Sequence, residues 1–374
     1  MNLREVIMRE IRDLGPIPFS RYMWLCLYHP ELGYYARNAE QFGKAGDFYT
    51  SSDVHAVFGR LLARQFDEMW RVLGCPVRIQ ITELGPGRGL FAQDVLDWSQ
   101  KTFPDFFAAT HYLLVEQSPA LRAKIQDTLG RHVDAGKASV VATLSPANDV
   151  PVILFANEFV DALPVEILSD HGMLRIELRD GKLVEGWEPV PTQLREFLER
   201  YSVLPVTGER LEAPLLAQSC MAEAARTIRQ GFLVAIDYGY TQREQIEGRH
   251  RGTLMTYRRH SAGVNPYEAP GEQDITAHVN FTALADAANA QGMEVQPLLT
   301  QSQFLMGIGE GNQFADAFAE CRLPQERAKV ALQLKHLVTP AGVGESFHVL
   351  LASRGVASEK VRHLAGLRFG KSHE

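Results

Sequence analysis

The seven residues Glu83-Leu84-Gly85-Pro86-Gly87-Arg88-Gly89 carry the clearest chemical signal in the chain. Glycines at alternate positions permit positive φ and let backbone approach a ligand with no side chain between. Residues 77–83 alternate with β-branched types, and Leu90, Phe91, Val95 and Leu96 follow at helical spacing. A strand, a glycine turn and a helix start would present free N–H groups and a positive dipole end to that ligand. Spacing separates the candidates. A dinucleotide fingerprint runs G-x-G-x-x-G, whereas here the third glycine arrives one residue early and Pro86 fills the first gap.

Three more groups of side chains fall where such a ligand would be met. Glu116 closes the next strand, Tyr112 to Glu116, 27 residues beyond Gly89. A carboxylate there can accept hydrogen bonds from vicinal ribose hydroxyls; the competing role is a surface Glu at a helix start. Asn157, Glu158 and Asp161 follow the apolar run Val152 to Ala156. Ligands of open α/β sheets bind outside the carboxyl ends of strands, so these three would meet a second substrate beside a bound cofactor. Capping of a short helix is their alternative. Asp47, Thr50 and Ser51 are placed to close over the cofactor, or else to form an Asx or Ser/Thr turn.

Other constellations are missing. There is no G-x-S-x-G elbow, no G-x-x-x-x-G-K-[ST] loop and no H-E-x-x-H, and the 12 histidines show no metal-ligand spacing. No metal is expected. Gly307-x-Gly309-x-Gly311 lacks a following Lys and reads as a flexible turn. Arg249, Arg251, Arg258 and Arg259 around Gly252-Thr253-Leu254 read as a solvated loop, with docking of an acidic partner as the sharper alternative.

The elements that position these residues follow from the same pattern. Leu3, Ile7, Ile11 and Leu14 form one helical stripe that Gly15-Pro16 ends. An aromatic-rich stretch and a helix carrying Val57, Leu61, Phe66 and Met69 complete an N-terminal helical cap over residues 1–73. Strand and helix then alternate over 74–164, implying an α/β unit with a mainly parallel sheet and the cofactor site. Residues 165–230 break the rhythm with hairpin-like pieces and two helices and read as an insertion. Residues 231–374 return to the sheet, with apolar runs at Phe232 to Asp237 and Phe347 to Ala352.

The 374 residues are 45% hydrophobic and 22% charged, an ordinary globular composition with ample core. The net charge of −7 argues against general nucleic-acid affinity. Cys26, Cys75, Cys220 and Cys321 are scattered singletons, as expected of reduced thiols. Apolar runs of about five residues are far from the roughly 20 a membrane span needs. The opening MNLREVIMREIRDLG is neither a secretory signal nor an acid-poor transit peptide, so a soluble cytoplasmic protein is expected.

An acidic residue closing a strand before G-x-G-x-G resembles motif I of S-adenosylmethionine methyltransferases. Further blocks extend the likeness over nearly the whole chain: Gly15-Pro16-Ile17-Pro18-Phe19, Tyr28-His29-Pro30, Gly33-Tyr34-Tyr35, Gly46-Asp47-Phe48-Tyr49-Thr50-Ser51, Asn157-Glu158-x-x-Asp161-Ala162-Leu163-Pro164, Ile236-Asp237-Tyr238-Gly239, Gly252-Thr253-Leu254 and Asp274-Ile275-Thr276-Ala277-His278-Val279-Asn280-Phe281. Together they resemble the MidA-type methyltransferases, which include a mitochondrial assembly factor for respiratory complex I. Ser52-Asp53 departs from the Pro-Glu expected there.

The resemblance implies a Rossmann-like class I methyltransferase with a mostly parallel sheet, a late antiparallel strand, an N-terminal helical segment and a mid-chain insertion. It implies S-adenosylmethionine as cofactor, held by Asp47, Thr50, Ser51, Glu83, Gly85, Gly87, Gly89, Glu116 and Asn157. It implies Glu158 and Asp161 as catalytic carboxylates and a protein arginine as methyl acceptor, with a complex I subunit as one candidate. A small-molecule methyltransferase, an NAD-dependent oxidoreductase and a non-catalytic assembly chaperone keeping the fold stay open. The oligomeric state is not encoded in any of these patterns.

Overall fold

The computed structural model describes residues 2–37, 56–146, 149–258, 261–263 and 265–371. Two compact units share the chain, each assembled from three separate segments.

The unit of residues 49–158, 222–238 and 288–374 is built on a sheet. Its main strands are β1 (Ile79–Leu84), β2 (Thr110–Val115), β3 (Ala138–Val141), β4 (Val152–Asn157), β5 (Gly231–Tyr240) and β6 (Phe347–Arg354). They lie in the order β6-β5-β4-β1-β2-β3. β1 to β5 run parallel, and β6 runs antiparallel to β5 from Gly231↔Arg354 to Tyr238↔Phe347. The first five residues of β4 are all buried, as an unbroken apolar run requires of a strand covered on both faces.

Helices α1 (Ala56–Val72), α2 (Leu90–Thr102) and α3 (Pro119–Asp134) belong to the same unit. α3 starts where the sequence places it: Ser118 Oγ accepts the Leu121 N–H at 3.4 Å and Pro119 occupies the first turn. The Phe91 ring stacks on Phe155 with centroids 4.5 Å apart, and Phe66 meets Phe155 edge-on at 5.6 Å. This trio pins the start of α2 and one face of α1 to β4, and each such pair adds about 0.5–1.5 kcal/mol beyond area burial.

Two expectations change in this unit. α1, assigned from sequence to an N-terminal cap, shares the sheet core, because Val57, Phe58, Leu61, Leu62, Phe66 and Met69 bury there. Gly307 and Gly309 are not a flexible turn. They lie in the helix Gln301–Glu310, where a Cβ at Gly307 would stand 2.3 Å from the Ala365 carbonyl oxygen. Close packing of the C-terminal segment requires glycine at that position, whatever its helix propensity.

The other unit comprises residues 1–48, 159–221 and 239–287. Its first helix, Leu3–Leu14, opens with an Asn2/Glu5 capping box, buries Leu3, Ile7 and Ile11, and ends at Gly15 with φ 85°. The expected insertion shares this unit with the N-terminal segment: Ile17–Pro18 pairs with Gly172–Arg179, in a sheet that also holds Lys182–Glu188, Glu166–Ser169 and Leu211–Ala213. Residues 239–287, expected with the second half of the parallel sheet, also fold here. Their strands Met255–Arg258 and Asp274–Thr276 pair antiparallel, and Ile275 and Ala277 join the core of Leu3, Phe19 and Ile176.

Candidate functional site

β1 ends at Leu84, and the chain turns through Gly85, Gly87 and Gly89 at φ 63°, 55° and 78°. All three occupy the left-handed region that side chains disfavour. The Gly85 N–H donates to Val115 O at 3.2 Å and the Gly89 N–H to Pro86 O at 2.8 Å, so the turn is tied to β2 and to itself. A Cβ at Gly89 would meet Ile125 Cγ2 at 3.4 Å; that glycine packs the turn against α3. A Cβ at Gly87 would meet nothing within 4 Å. α2 begins directly after Gly89 with no side-chain cap. An open glycine cradle at an uncapped helix start is suited to a ligand lying on backbone.

Glu83 is placed inside the sheet core, 5% exposed, where its Oε2 accepts the Tyr112 phenolic hydrogen at 2.9 Å. Burial pushes its carboxyl up to about 8, with the Tyr112 hydrogen bond opposing. At neutral pH it is mostly the protonated, uncharged acid. Glu116 directly follows β2: its N–H donates to Val141 O at 2.9 Å and its Oε1 accepts the Ser118 N–H at 2.7 Å. Burial moves this carboxyl up to about 7, against the Ser118 N–H and the Arg122 charge.

Asn157 ends β4 opposite Ile236 of β5. The next residue, Glu158, donates its N–H to Ile236 O at 3.0 Å and takes φ 48°. A left-handed backbone at a non-glycine residue costs about 1–3 kcal/mol and concentrates at functional sites. Asn157 Nδ2 donates to Glu158 Oε1 at 3.1 Å, while Asn157 Oδ1 is buried and receives no hydrogen bond. On β5, buried Asp237 accepts the Tyr238 N–H at 2.9 Å. Reading the sequence gave Asp237 no role; a carboxylate ending an apolar run was the available signal.

In the other unit Asp161 is buried, and its carbonyl accepts the Ala277 N–H at 3.0 Å. Tyr35 donates its hydroxyl to Asp274 Oδ1 at 3.1 Å, and Tyr28 donates to Ala162 O at 3.0 Å. Burial, then the charges of Asp274 and Asp161, raise the Tyr35 phenol well above its ordinary value. Burial, then Asp161 and Asp274, raise Tyr257. Asp274, Tyr35 and Tyr257 were missed as site residues because they come from distant segments. Asp47, Thr50 and Ser51 lie outside the described residues.

Gly85, Gly87, Gly89, Glu116, Asn157 and Glu158 thus stand at the carboxyl ends of β1, β2 and β4, the binding edge of an open α/β sheet. S-adenosylmethionine fits this set. Its ribose diol suits a carboxylate, and its bulk suits the open face of Gly87.

Strand order, antiparallel sixth strand and glycine turn define the class, a Rossmann-like S-adenosylmethionine-dependent methyltransferase. The family model of S-adenosyl-L-methionine-dependent methyltransferases matches residues 61–299. A Burkholderia thailandensis protein solved with S-adenosyl-homocysteine bound is 27% identical, covers 98% of this chain and 94% of that one, and superposes with TM-score 0.84. The Drosophila melanogaster protein arginine methyltransferase NDUFAF7 homolog is 29% identical, over 95% of this chain and 85% of that relative. Its Danio rerio counterpart is 28% identical, over 90% and 83%. The chain belongs to this methyltransferase family, the MidA/NDUFAF7 family, and its cofactor is S-adenosylmethionine.

The same names overturn the cytoplasmic expectation, since the fly, zebrafish and rat relatives are all named mitochondrial. The acidic residues of the opening segment belong to a capped, packed helix. They report on folding, not on location. Among the described residues no helix is long and apolar enough to cross a membrane.

Proposed function

We infer that the chain methylates an arginine side chain of a protein partner. The observation that carries this reading is the grouping of two buried carboxylates, Asp161 and Asp274, with the half-buried phenols of Tyr35 and Tyr257, an environment of the kind a guanidinium needs. Arginine stays protonated at any working pH and pairs with carboxylates through a fork of N–H donors. The names of the NDUFAF7 relatives favour the same acceptor, and the family resemblance makes a complex I subunit a candidate.

When bound, S-adenosylmethionine supplies an electrophilic methyl on a sulfonium that leaves as a neutral thioether. Transfer of that methyl to a guanidinium nitrogen would form an N–C bond at the expense of the S–C bond and would leave one N–H proton for the protein to take up. Glu158 and Asp161 are the carboxylates assigned to orient the guanidinium and take that proton. Alignment of nucleophile, methyl and sulfur is the largest contribution open to the protein, up to about 7–11 kcal/mol in favourable cases.

The test is incubation with methyl-labelled S-adenosylmethionine and cell extract, followed by acid hydrolysis and amino-acid analysis. Label in methylarginine, lost in Glu158→Ala or Asp161→Ala, is expected. Label confined to small molecules or to other residues, or full labelling by both variants, would sink the reading.

A further inference from the structure

Tyr28-His29-Pro30 and Gly33-Tyr34-Tyr35 are separate blocks in the sequence and a single turn in the structure. Tyr28 ends the helix Phe19–Tyr28, and Tyr35 lies in the short helix Tyr34–Arg37. Between them His29 Nδ1 accepts the Leu32 N–H at 3.2 Å, and the His29 carbonyl accepts the Gly33 N–H at 2.9 Å. A Cβ at Gly33 would stand 2.6 Å from the His29 main-chain nitrogen and 2.7 Å from the Leu27 carbonyl oxygen, so glycine is what lets the chain fold back this tightly. The turn brings the Tyr28 and Tyr35 rings together, with centroids 5.4 Å apart.

Their hydroxyls then reach two different segments of the same unit. Tyr28 donates to Ala162 O at 3.0 Å, next to Asp161, whose own carbonyl accepts the Ala277 N–H at 3.0 Å. Tyr35 donates to Asp274 Oδ1 at 3.1 Å, an oxygen that also accepts the Ile275 N–H at 3.0 Å. Two phenols packed ring to ring thus fasten the two segments that carry the buried carboxylates. We propose that Tyr28 is a positioning residue which, through its contact with Tyr35, sets the separation of the Asp161 and Asp274 carboxylates and so selects a planar guanidinium over an ammonium. A guanidinium offers its donors in a rigid fork, and carboxylates that accept from it must stand at set positions. An ammonium is a point charge with rotatable donors and tolerates a looser pair. The inference rests on the reading of Asp161 and Asp274 as the carboxylates that receive the acceptor's arginine.

The experiment is calorimetric titration of the S-adenosylhomocysteine-loaded protein with arginine amide and with lysine amide. The readout is the ratio of their dissociation constants. Wild type should prefer arginine amide by at least about tenfold. Tyr28→Phe keeps the ring and removes the bond to Ala162. It should retain S-adenosylhomocysteine affinity and lower the preference about fivefold, the worth of one neutral hydrogen bond. Tyr35→Phe releases Asp274 and should lower it by a similar factor. The double variant should be no worse than the poorer single one, since loosening either end already loses the separation. A merely structural role would weaken both amides in proportion and leave the ratio alone. An unchanged ratio in Tyr28→Phe therefore overturns the proposal. So do losses that multiply in the double variant, which would make the two phenols independent contacts. Should Tyr28→Phe fail to fold, an unchanged ratio in Tyr35→Phe overturns the proposal by itself. A wild-type protein with no preference for arginine amide removes the guanidinium reading, and the proposal with it.

Discussion

Tyr112 and Glu83 sit on adjacent parallel strands, two positions out of register, and their side chains meet as phenol and carboxyl at 2.9 Å inside the core. The carboxyl closes the strand that delivers the glycine turn, so its protonation bears on the site as well as on stability. Its folded-state pKa of about 8 lies above the ordinary 4.5. The folded protein therefore holds this proton where the unfolded chain has lost it. The resulting stability is fully present below about pH 4.5 and is lost as pH rises toward 8. Glu83→Gln keeps an acceptor for Tyr112 and cannot ionise. Denaturation at pH 8 should show it more stable than wild type by about 1–3 kcal/mol, with a flatter profile between pH 5 and 8. An equally steep profile in the variant would show that burial of Glu83 is not the cause.

Gly87 offers a prediction with opposite sign. At φ 55° any side chain is strained by about 1–2 kcal/mol, yet a Cβ there meets nothing. Gly87→Ala should fold, lose only that much stability, and bind S-adenosylmethionine at least about tenfold more weakly because the methyl occupies the cradle. Gly87→Val should be worse on both counts. A folded Gly87→Ala with wild-type affinity would show that the cofactor does not lie on this turn.

These positions differ in how far the sequence disclosed them, and the difference is physical. Gly85, Gly87, Gly89, Glu116 and Asn157 are constrained locally, by backbone sign and by standing at a strand end, so their spacing alone marks them. The Tyr112–Glu83 contact needs the pairing of β1 with β2, which an α/β rhythm suggests but does not register. Asp274, Tyr35 and Tyr257 come from segments held together by tertiary packing around Ile275, Ala277 and Phe19, and no local period records that. α1 was misassigned for the same reason: its amphipathic stripe declares a buried face without naming the partner.

Glu116 predicts a pH dependence of binding. The ribose diol donates, so the ionised carboxylate is the competent acceptor, and its pKa is about 7. Affinity for S-adenosylmethionine should be flat above about pH 8 and fall progressively below pH 7, approaching tenfold per unit if one proton is taken up. Glu116→Gln should bind more weakly at pH 8 and lose the dependence. Titrations from pH 5.5 to 8.5 decide it. A slope persisting in Glu116→Gln would assign the titration to another group.

Asp161 and Asp274 should separate cofactor binding from catalysis. Both belong to the unit that lacks the glycine turn, and both are buried with their charge close to Tyr35 and Tyr257. Asp274→Asn keeps an acceptor for the Tyr35 hydroxyl and removes one negative charge. Asp161→Asn likewise removes one negative charge, and it leaves the main-chain bond to Ala277 intact. If these carboxylates receive the guanidinium, each variant should keep S-adenosylhomocysteine affinity within about twofold and lose labelling of protein arginine by about 100-fold or more. That loss corresponds to one or two charge-assisted hydrogen bonds at about 1.5–3 kcal/mol each. The loss should fall mainly on the acceptor's KM if the carboxylates only bind, and on kcat if Asp161 also takes the proton. Weakened S-adenosylhomocysteine binding in both variants, with labelling reduced only in proportion, would place the two aspartates in cofactor retention and leave the acceptor to be held by Glu158 alone.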